Sequence, residues 1–208
     1  MNNRREYEDK YISEGFNYIG GTDEAGRGPL VGPVVASCVV FPKDYVNEEI
    51  NDSKKLTEKK REKLYDIIMK DAIAVGIGIV SNKEIDEINI LEASRKAMIL
   101  AYEEACKKIK IDVLLTDAMK IDSLDIKVEP IIKGDQKSIS IGAASIIAKV
   151  TRDRILYDLD RKYPMYELKK HKGYPTKRHI ELINKYGVTE DYRKTYGPVK
   201  KVLEQGNK

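Results

Sequence analysis

The segment Thr22-Asp23-Glu24-Ala25-Gly26-Arg27-Gly28-Pro29-Leu30-Val31-Gly32-Pro33 sets two adjacent carboxylates at the end of an apolar run and follows them with a Gly-Arg-Gly turn. The β-branched stretch that comes next, with Val34-Val35 and Val39-Val40, reads as a strand. Residues 17–23 and 34–41 are therefore expected to be two strands joined by a glycine-rich turn. Carboxylates are hard oxygen ligands suited to Mg²⁺ or Mn²⁺. Glycines let a backbone come close to another molecule, and an arginine between them is a donor for phosphate or carboxylate. Metal ligands beside such a turn point to metal-assisted chemistry on a phosphate ester. Plainer readings compete. Asp-Glu before a glycine-rich turn can be a helix N-cap and a first-turn acid. The third glycine of G-x-G-x-x-G falls on Val31, so the dinucleotide fingerprint is broken.

The chain has 208 residues, 41% hydrophobic and 35% charged, a globular composition long enough for one domain spanning 1–208. No apolar stretch reaches transmembrane length, and the first ten residues lack the apolar core of a signal peptide. Cys38 and Cys106 lie in apolar-periodic segments and read as buried thiols of a reducing compartment, which places the protein in the cytoplasm. His171 and His179 are the only histidines, too few beside two cysteines for a structural zinc site. A net charge of +4 proves nothing about nucleic acid, but its distribution is informative. Residues 169–179 carry Lys169, Lys170, Lys172, Lys177 and Arg178 with no acid, around Tyr174. Such a run suits a polyphosphate backbone with a sugar or base to stack on, or is simply a solvated basic loop.

Residues 1–16 form an N-terminal arm. Further strands are expected over 72–81, 112–117 and 127–132, and helices over 57–69, 91–109, 138–162 and 176–186. Residues from about 163 to 208 make a helical C-terminal extension holding the basic loop. Two or three adjacent strands followed by alternating strands and helices make an α/β sheet with an antiparallel and a parallel half. Ligands gather at the carboxyl ends of parallel strands in such sheets. Asp23 and Asp117 each end a predicted strand, and Asp135 follows a third.

Six stretches, DEAGRGPLVGPVVAS (23–37), DSKKLT (52–57), LLTDAMK (114–120), KGDQKS (133–138), AASIIAKVTRDR (143–154) and HKGYPT (171–176), stand in this order over most of the chain. Together they closely resemble the bacterial type 2 ribonuclease H (RNase HII) family. The resemblance implies an RNase H-like fold, a five-stranded mixed sheet flanked by helices. It implies endonucleolytic hydrolysis of RNA in RNA–DNA hybrids and nicking 5′ of a ribonucleotide embedded in duplex DNA. The family's four catalytic, metal-binding acids fall on Asp23, Glu24, Asp117 and Asp135. Gly26, Arg27 and Gly28 match the turn that contacts the ribose 2′-hydroxyl, and Tyr174 matches the tyrosine that stacks on the neighbouring deoxyribose. Three departures stand out. Pro175 replaces a frequent glycine, Thr22 takes an aliphatic position, and the tail 191–198 (DYRKTYGP) only loosely follows the family pattern, which leaves its DNA contacts open.

Two divalent ions, Mn²⁺ or Mg²⁺, about 3.5–4 Å apart are then expected to hold the scissile phosphate, with Asp23 bridging them. Successive strand side chains point to opposite faces, so Asp23 and Glu24 can share a site only if the chain bends there or the Glu24 carbonyl takes part. Lys54, Lys149, Lys172 and Arg27 are candidates for phosphate contact, against the plain alternative of solvated lysines. The expected partners are RNA–DNA hybrid and ribonucleotide-containing DNA, with no membrane. The protein is expected to be monomeric, and a sliding-clamp contact stays open because no clear clamp-binding peptide is visible. Two rivals are weighed. The type 3 ribonuclease H has a different glycine turn and an extra N-terminal domain, for which the 22 residues before Asp23 are too few. A non-enzymatic hybrid binder gains nothing from four mutually repelling acids.

Overall fold

The computed structural model describes residues 4–51 and 53–206, with the side chain of Lys54 among those left out. Five strands, β1 (Ile19–Ala25), β2 (Val34–Val40), β3 (Ala74–Val80), β4 (Val113–Asp117) and β5 (Lys127–Ile131), form one sheet in the order β3-β2-β1-β4-β5. β1, β2 and β3 pair antiparallel, while β4 lies parallel to β1 and β5 parallel to β4. The two expected halves meet at β1. The described residues form seven α-helices, α1 (Glu6–Ser13), α2 (Glu58–Asp71), α3 (Asn82–Cys106), α4 (Ile139–Lys162), α5 (Leu168–His171), α6 (Lys177–Tyr186) and α7 (Gly197–Gly206), with α3 on one face of the sheet and α4 on the other.

The two faces of the sheet are sorted by the strand alternation. Val34, Ala36, Cys38, Val40, Ala74, Val80 and Leu114 pack with the buried face of α3. Val39, with Ile77 beside it, packs with α2 and α4, and Val113 and Leu115 pack with Ile141 and Tyr11. Each fully buried aliphatic side chain contributes roughly 1.5–3 kcal/mol. α3 rides directly on β3, where a Cβ built on Gly76 or Gly78 would stand 2.0 Å from the carbonyl oxygen of Ala101 or Ala97. A third apolar cluster joins Leu30 and Val31 to Leu156, Tyr166, Leu182, Ile183, Tyr192 and Val199, tying the C-terminal helices to the segment after the Gly-Arg-Gly turn.

Helix starts follow their caps. Thr57, Ser81, Ser138 and Thr176 each accept an amide three residues on. α3 departs from the expected 91–109 and begins nine residues earlier. Its first segment starts on Ser81 with Glu84 in the capping-box position. Asn89 (φ 68) then breaks the helix and recaps it, its side chain accepting the amides of Leu91 and Glu92. The basic loop is shorter than expected, since Leu168–His171 is helical; α6, Lys177–Tyr186, falls on the expected 176–186, and a short turn between them carries Tyr174. Cys38 is buried, with its thiol pushed well up by burial, whereas Cys106 is only half-buried, and both are free thiols. Thr22 is accounted for by a buried hydrogen bond, its hydroxyl donating to the Ser37 carbonyl across the β1–β2 pair at 2.7 Å.

Candidate active site at the carboxyl ends of β1 and β4

Parallel register sets Thr22 beside Thr116, so the next residues, Asp23 and Asp117, stand side by side at adjacent strand ends. Val113 and Leu115 face α4, and two-residue alternation puts Asp117 on that face too. Gly21 lies against Ser140 and Ile141 of α4, which puts Asp23 there by the same rule. Asp135 comes to this face in a 3-10 turn, Gly134–Gln136, leading into α4. Asp117 Oδ1 accepts the Gly134 amide at 2.8 Å. Ala118 (φ 56) and Lys133 (φ 57), the neighbours of Asp117 and Gly134, both take left-handed backbone, a strain of about 1–3 kcal/mol each that the surrounding hydrogen bonds must hold. The Ala118 amide, for one, donates to the Ile131 carbonyl at 3.0 Å.

Asp23 and Asp135 are both buried, and Asp23 Oδ1 accepts the Glu24 amide at 2.7 Å. β1 stays a regular strand through Ala25, which pairs with Val35. Of the two alternatives left open by the sequence, a bend between Asp23 and Glu24 is therefore not there. Glu24 belongs to the α3 face, and its carboxylate lies 3.6 Å from the Arg27 guanidinium. The chain turns only at Gly26 (φ 103). Among the described residues no three His, Cys, Asp or Glu side chains are converged into a metal cage. Asp23 and Asp117 are instead each held by a backbone amide. The donor set is all carboxylate, which fits a hard divalent cation and not a soft one.

The Gly-Arg-Gly turn sits against the Tyr174 turn. A Cβ on Gly28 would lie 3.3 Å from the Tyr174 ring, and the Leu30 amide donates to the Gly173 carbonyl at 2.8 Å. Tyr174 is 43% exposed, so its ring remains available. Two buried arginines that the sequence reading passed over hold this arrangement. Arg152 of α4 donates to the carbonyls of Pro33 (3.3 Å), Val31 (3.2 Å) and Lys172 (3.2 Å), linking the two turns. A Cβ on Gly26 would meet Arg152 Nε at 2.2 Å. Arg193, in the divergent tail, donates to the carbonyls of Gly26, Arg27, Gly32 and Pro33. Nothing in the sequence marks either one, since Arg152 stands among the charged residues Lys149, Asp153 and Arg154 of α4 and Arg193 beside Lys194.

Two of the lysine candidates, Lys149 and Lys172, are engaged with acids. Lys149 Nζ pairs with Asp153 at 2.6 Å, and burial lowers its pKa. Lys172 Nζ lies 3.5 Å from Glu58 and 3.9 Å from the Tyr157 ring centroid, and donates to the Tyr157 hydroxyl. Lys170 and Arg178 both pair with Glu167, so an acid just outside 169–179 partly neutralises that run. The Lys54 side chain lies outside the described residues.

His179 supports the Tyr174 turn from α6. Its Nδ1 must donate to the Tyr174 carbonyl (2.9 Å), leaving Nε2 to accept the Tyr192 hydroxyl (2.9 Å), a neutral tautomer. Burial pushes its pKa down to about 4 from an ordinary 6.5. The folded protein thus resists a proton that the unfolded chain takes up. The corresponding stability is complete above pH 6.5 and is lost as pH falls towards 4, by up to about 3 kcal/mol. Melting of wild type and His179→Gln between pH 7 and 4.5 checks this. The variant should lose less midpoint on acidification, and equal losses would remove His179 from the account.

A mixed five-stranded sheet with aspartates at its parallel strand ends, beside a glycine turn, places the chain in the RNase H-like class. Residues 20–196 match the family model of ribonuclease HII. The ribonuclease HII of Caldanaerobacter subterraneus subsp. tengcongensis is 58% identical over 95% of this chain and 80% of its own. Among solved structures, ribonuclease H2 from Pyrococcus horikoshii superposes with a TM-score of 0.78 at 30% identity, over 92% of this chain and 99% of its own. The RNase HII of the Archaeoglobus fulgidus PCNA:RNase HII complex gives 0.71 at 25% identity, over 88% and 96%. The chain belongs to the ribonuclease HII family, and is a metal-dependent endonuclease that hydrolyses the RNA strand of RNA–DNA hybrids.

Proposed function

We propose that this enzyme also nicks duplex DNA on the 5′ side of a single embedded ribonucleotide, using two divalent ions, Mn²⁺ or Mg²⁺. Asp23, Asp117 and Asp135 would hold the ions, with Glu24 contributing through its carbonyl or from the far face. Ions bound there would activate a water and stabilise charge on the departing 3′-oxygen. The chain's own residues do the rest. The backbone of Gly26–Gly28 reads the 2′-hydroxyl, the one group that separates RNA from DNA, without reading a base. Tyr174 packs on the deoxyribose beyond the cut, and Arg27 positions phosphate. The observation that carries the reading is the contact of Gly28 with Tyr174, which makes one continuous surface of a ribose reader and a deoxyribose platform. A duplex with one ribonucleotide, compared with the same duplex in all-DNA form, tests it. Only the first should be cut, and only with a divalent ion. Equal cutting of both duplexes contradicts the reading.

The basic segment supplies affinity in this account. Changing Lys170 and Lys172 together to Ala should weaken duplex binding and lower the slope of log K against log salt by roughly 0.9 per lost phosphate contact. Because Lys172 is held by Glu58 and Tyr157, phosphate must compete with that pair. A slope identical to wild type would make the segment structural. No helix among the described residues is long and apolar enough to cross a membrane. We place the enzyme in the cytoplasm as a monomer. The Archaeoglobus complex makes a sliding clamp the first protein partner to test, by gel filtration of the mixture.

A further inference from the structure

Arg193 is a fully buried guanidinium whose five N–H donors are all used. Nε donates to Gly32 O (3.0 Å) and Nη2 to Gly26 O (2.6 Å) and Pro33 O (3.1 Å). Nη1 donates to Arg27 O (3.0 Å) and to the Tyr196 hydroxyl (3.0 Å), which in turn donates to Arg27 O (2.7 Å). Four of the five bonds thus end on carbonyls of one segment. A desolvated charge is costly to bury, and a lone structural hydrogen bond does not need one.

The geometry of the peptide unit shows what it does. In a trans peptide the C=O and the following N–H point in opposite directions, and the described chain has no cis bonds. Drawing the Gly26 and Arg27 carbonyls inward to Arg193 turns the Arg27 and Gly28 amides outward. Neither amide donates to another group among the described residues. The positive charge behind the carbonyls also polarises both peptides in the direction that strengthens their N–H donors.

The tail that carries Arg193 is itself clamped by the first segment of α3, ahead of the Asn89 break. Asp86 accepts the Lys194 amide (2.8 Å), the Thr195 amide (2.9 Å) and the Thr195 hydroxyl (2.6 Å). Asn82 donates to the carbonyls of Glu190 (2.8 Å) and Tyr192 (3.2 Å). The Arg193 amide donates to Leu30 O at 2.8 Å.

We infer that Arg193, with Tyr196, is a positioning residue that aims the Arg27 and Gly28 amides at the substrate, and that the tail 190–196 acts as a strut for ribonucleotide selection and not as a DNA-contacting arm. This rests on the reading of the Gly-Arg-Gly turn given above. The test compares single-turnover cleavage of a single-ribonucleotide duplex and a continuous RNA–DNA hybrid by wild type, Tyr196→Phe and Arg193→Lys, with Mn²⁺ affinity and melting temperature measured alongside. Tyr196→Phe removes one hydroxyl from a half-exposed ring. It should lower cleavage of the single ribonucleotide about five- to tenfold at unchanged Mn²⁺ affinity, with a cooperative melting transition retained. Arg193→Lys should lower it roughly a hundredfold, the scale of an ångström-sized misplacement. In both variants the single ribonucleotide should suffer more than the hybrid. If Arg193→Lys fails to fold, Tyr196→Phe carries the test. Wild-type rates and wild-type substrate ratio in Tyr196→Phe, or equal loss on both substrates, overturn the inference. A wild-type enzyme that cuts all-DNA duplex as readily overturns instead the reading of the turn.

Discussion

Asp117→Asn should abolish turnover while duplex binding in metal-free buffer persists or tightens. Asparagine keeps the Oδ1 that accepts the Gly134 amide, so the strand end and the 3-10 turn stay in place. What is lost is one negative charge and one hard ligand. The rate should fall well beyond the 10–100-fold typical of losing a supporting partner. Binding should not suffer, since a charge that repels phosphate has gone. Single-turnover cleavage and filter binding in EDTA measure the two separately. Substantial turnover in Asp117→Asn would remove this residue from the mechanism.

Tyr174→Ala should lower cleavage of a single embedded ribonucleotide by about one to two orders of magnitude, the equivalent of roughly 1–3 kcal/mol of stacking. The ring is held ready, not recruited. Gly28 lies under it, the Tyr174 carbonyl accepts from His179 and from the Thr176 amide, and Pro175 confines Tyr174 to extended backbone. Continuous RNA in a hybrid should lose less, because the sugar beyond the cut is there a ribose and stacks poorly from the start. Mn²⁺ affinity should not change. Equal loss on the two substrates would reduce Tyr174 to a general binding contact.

The sheet was legible in the sequence because its strands are short segments bounded by turn residues, most clearly the β-branched run of β2, and its polarity because acids recur at the ends of strands that alternate with helices. Asp23, Asp117 and Asp135 could be named for that reason, and the structure places all three on the α4 face. Glu24 could not be settled from sequence. Whether β1 bends at Glu24 or at Gly26 depends on pairing with β2, which continues to Ala25. The first segment of α3 was missed although Ser81 and Glu84 spell a capping box, because Asn89 interrupts the apolar period. Arg152 and Arg193 were opaque for a deeper reason. An arginine that serves backbone carbonyls has no side-chain partner to pair with in a sequence, and only the folded turn supplies its acceptors. The engagement of Lys149 with Asp153 and of Lys172 with Glu58 is hidden in the same way, since Glu58 lies far from Lys172 along the chain.

The central claim is that one surface joins carboxylate-held metal chemistry to recognition of a single 2′-hydroxyl. It is tested most directly by incubating an end-labelled duplex containing one ribonucleotide with Mn²⁺ or Mg²⁺ and mapping the cut to the nucleotide. One nick is expected, immediately 5′ of the ribonucleotide, leaving a 3′-hydroxyl and a 5′-phosphate, absent in EDTA and absent from the all-DNA duplex. A cut 3′ of the ribonucleotide with a cyclic phosphate end, or cleavage that survives EDTA, would contradict it.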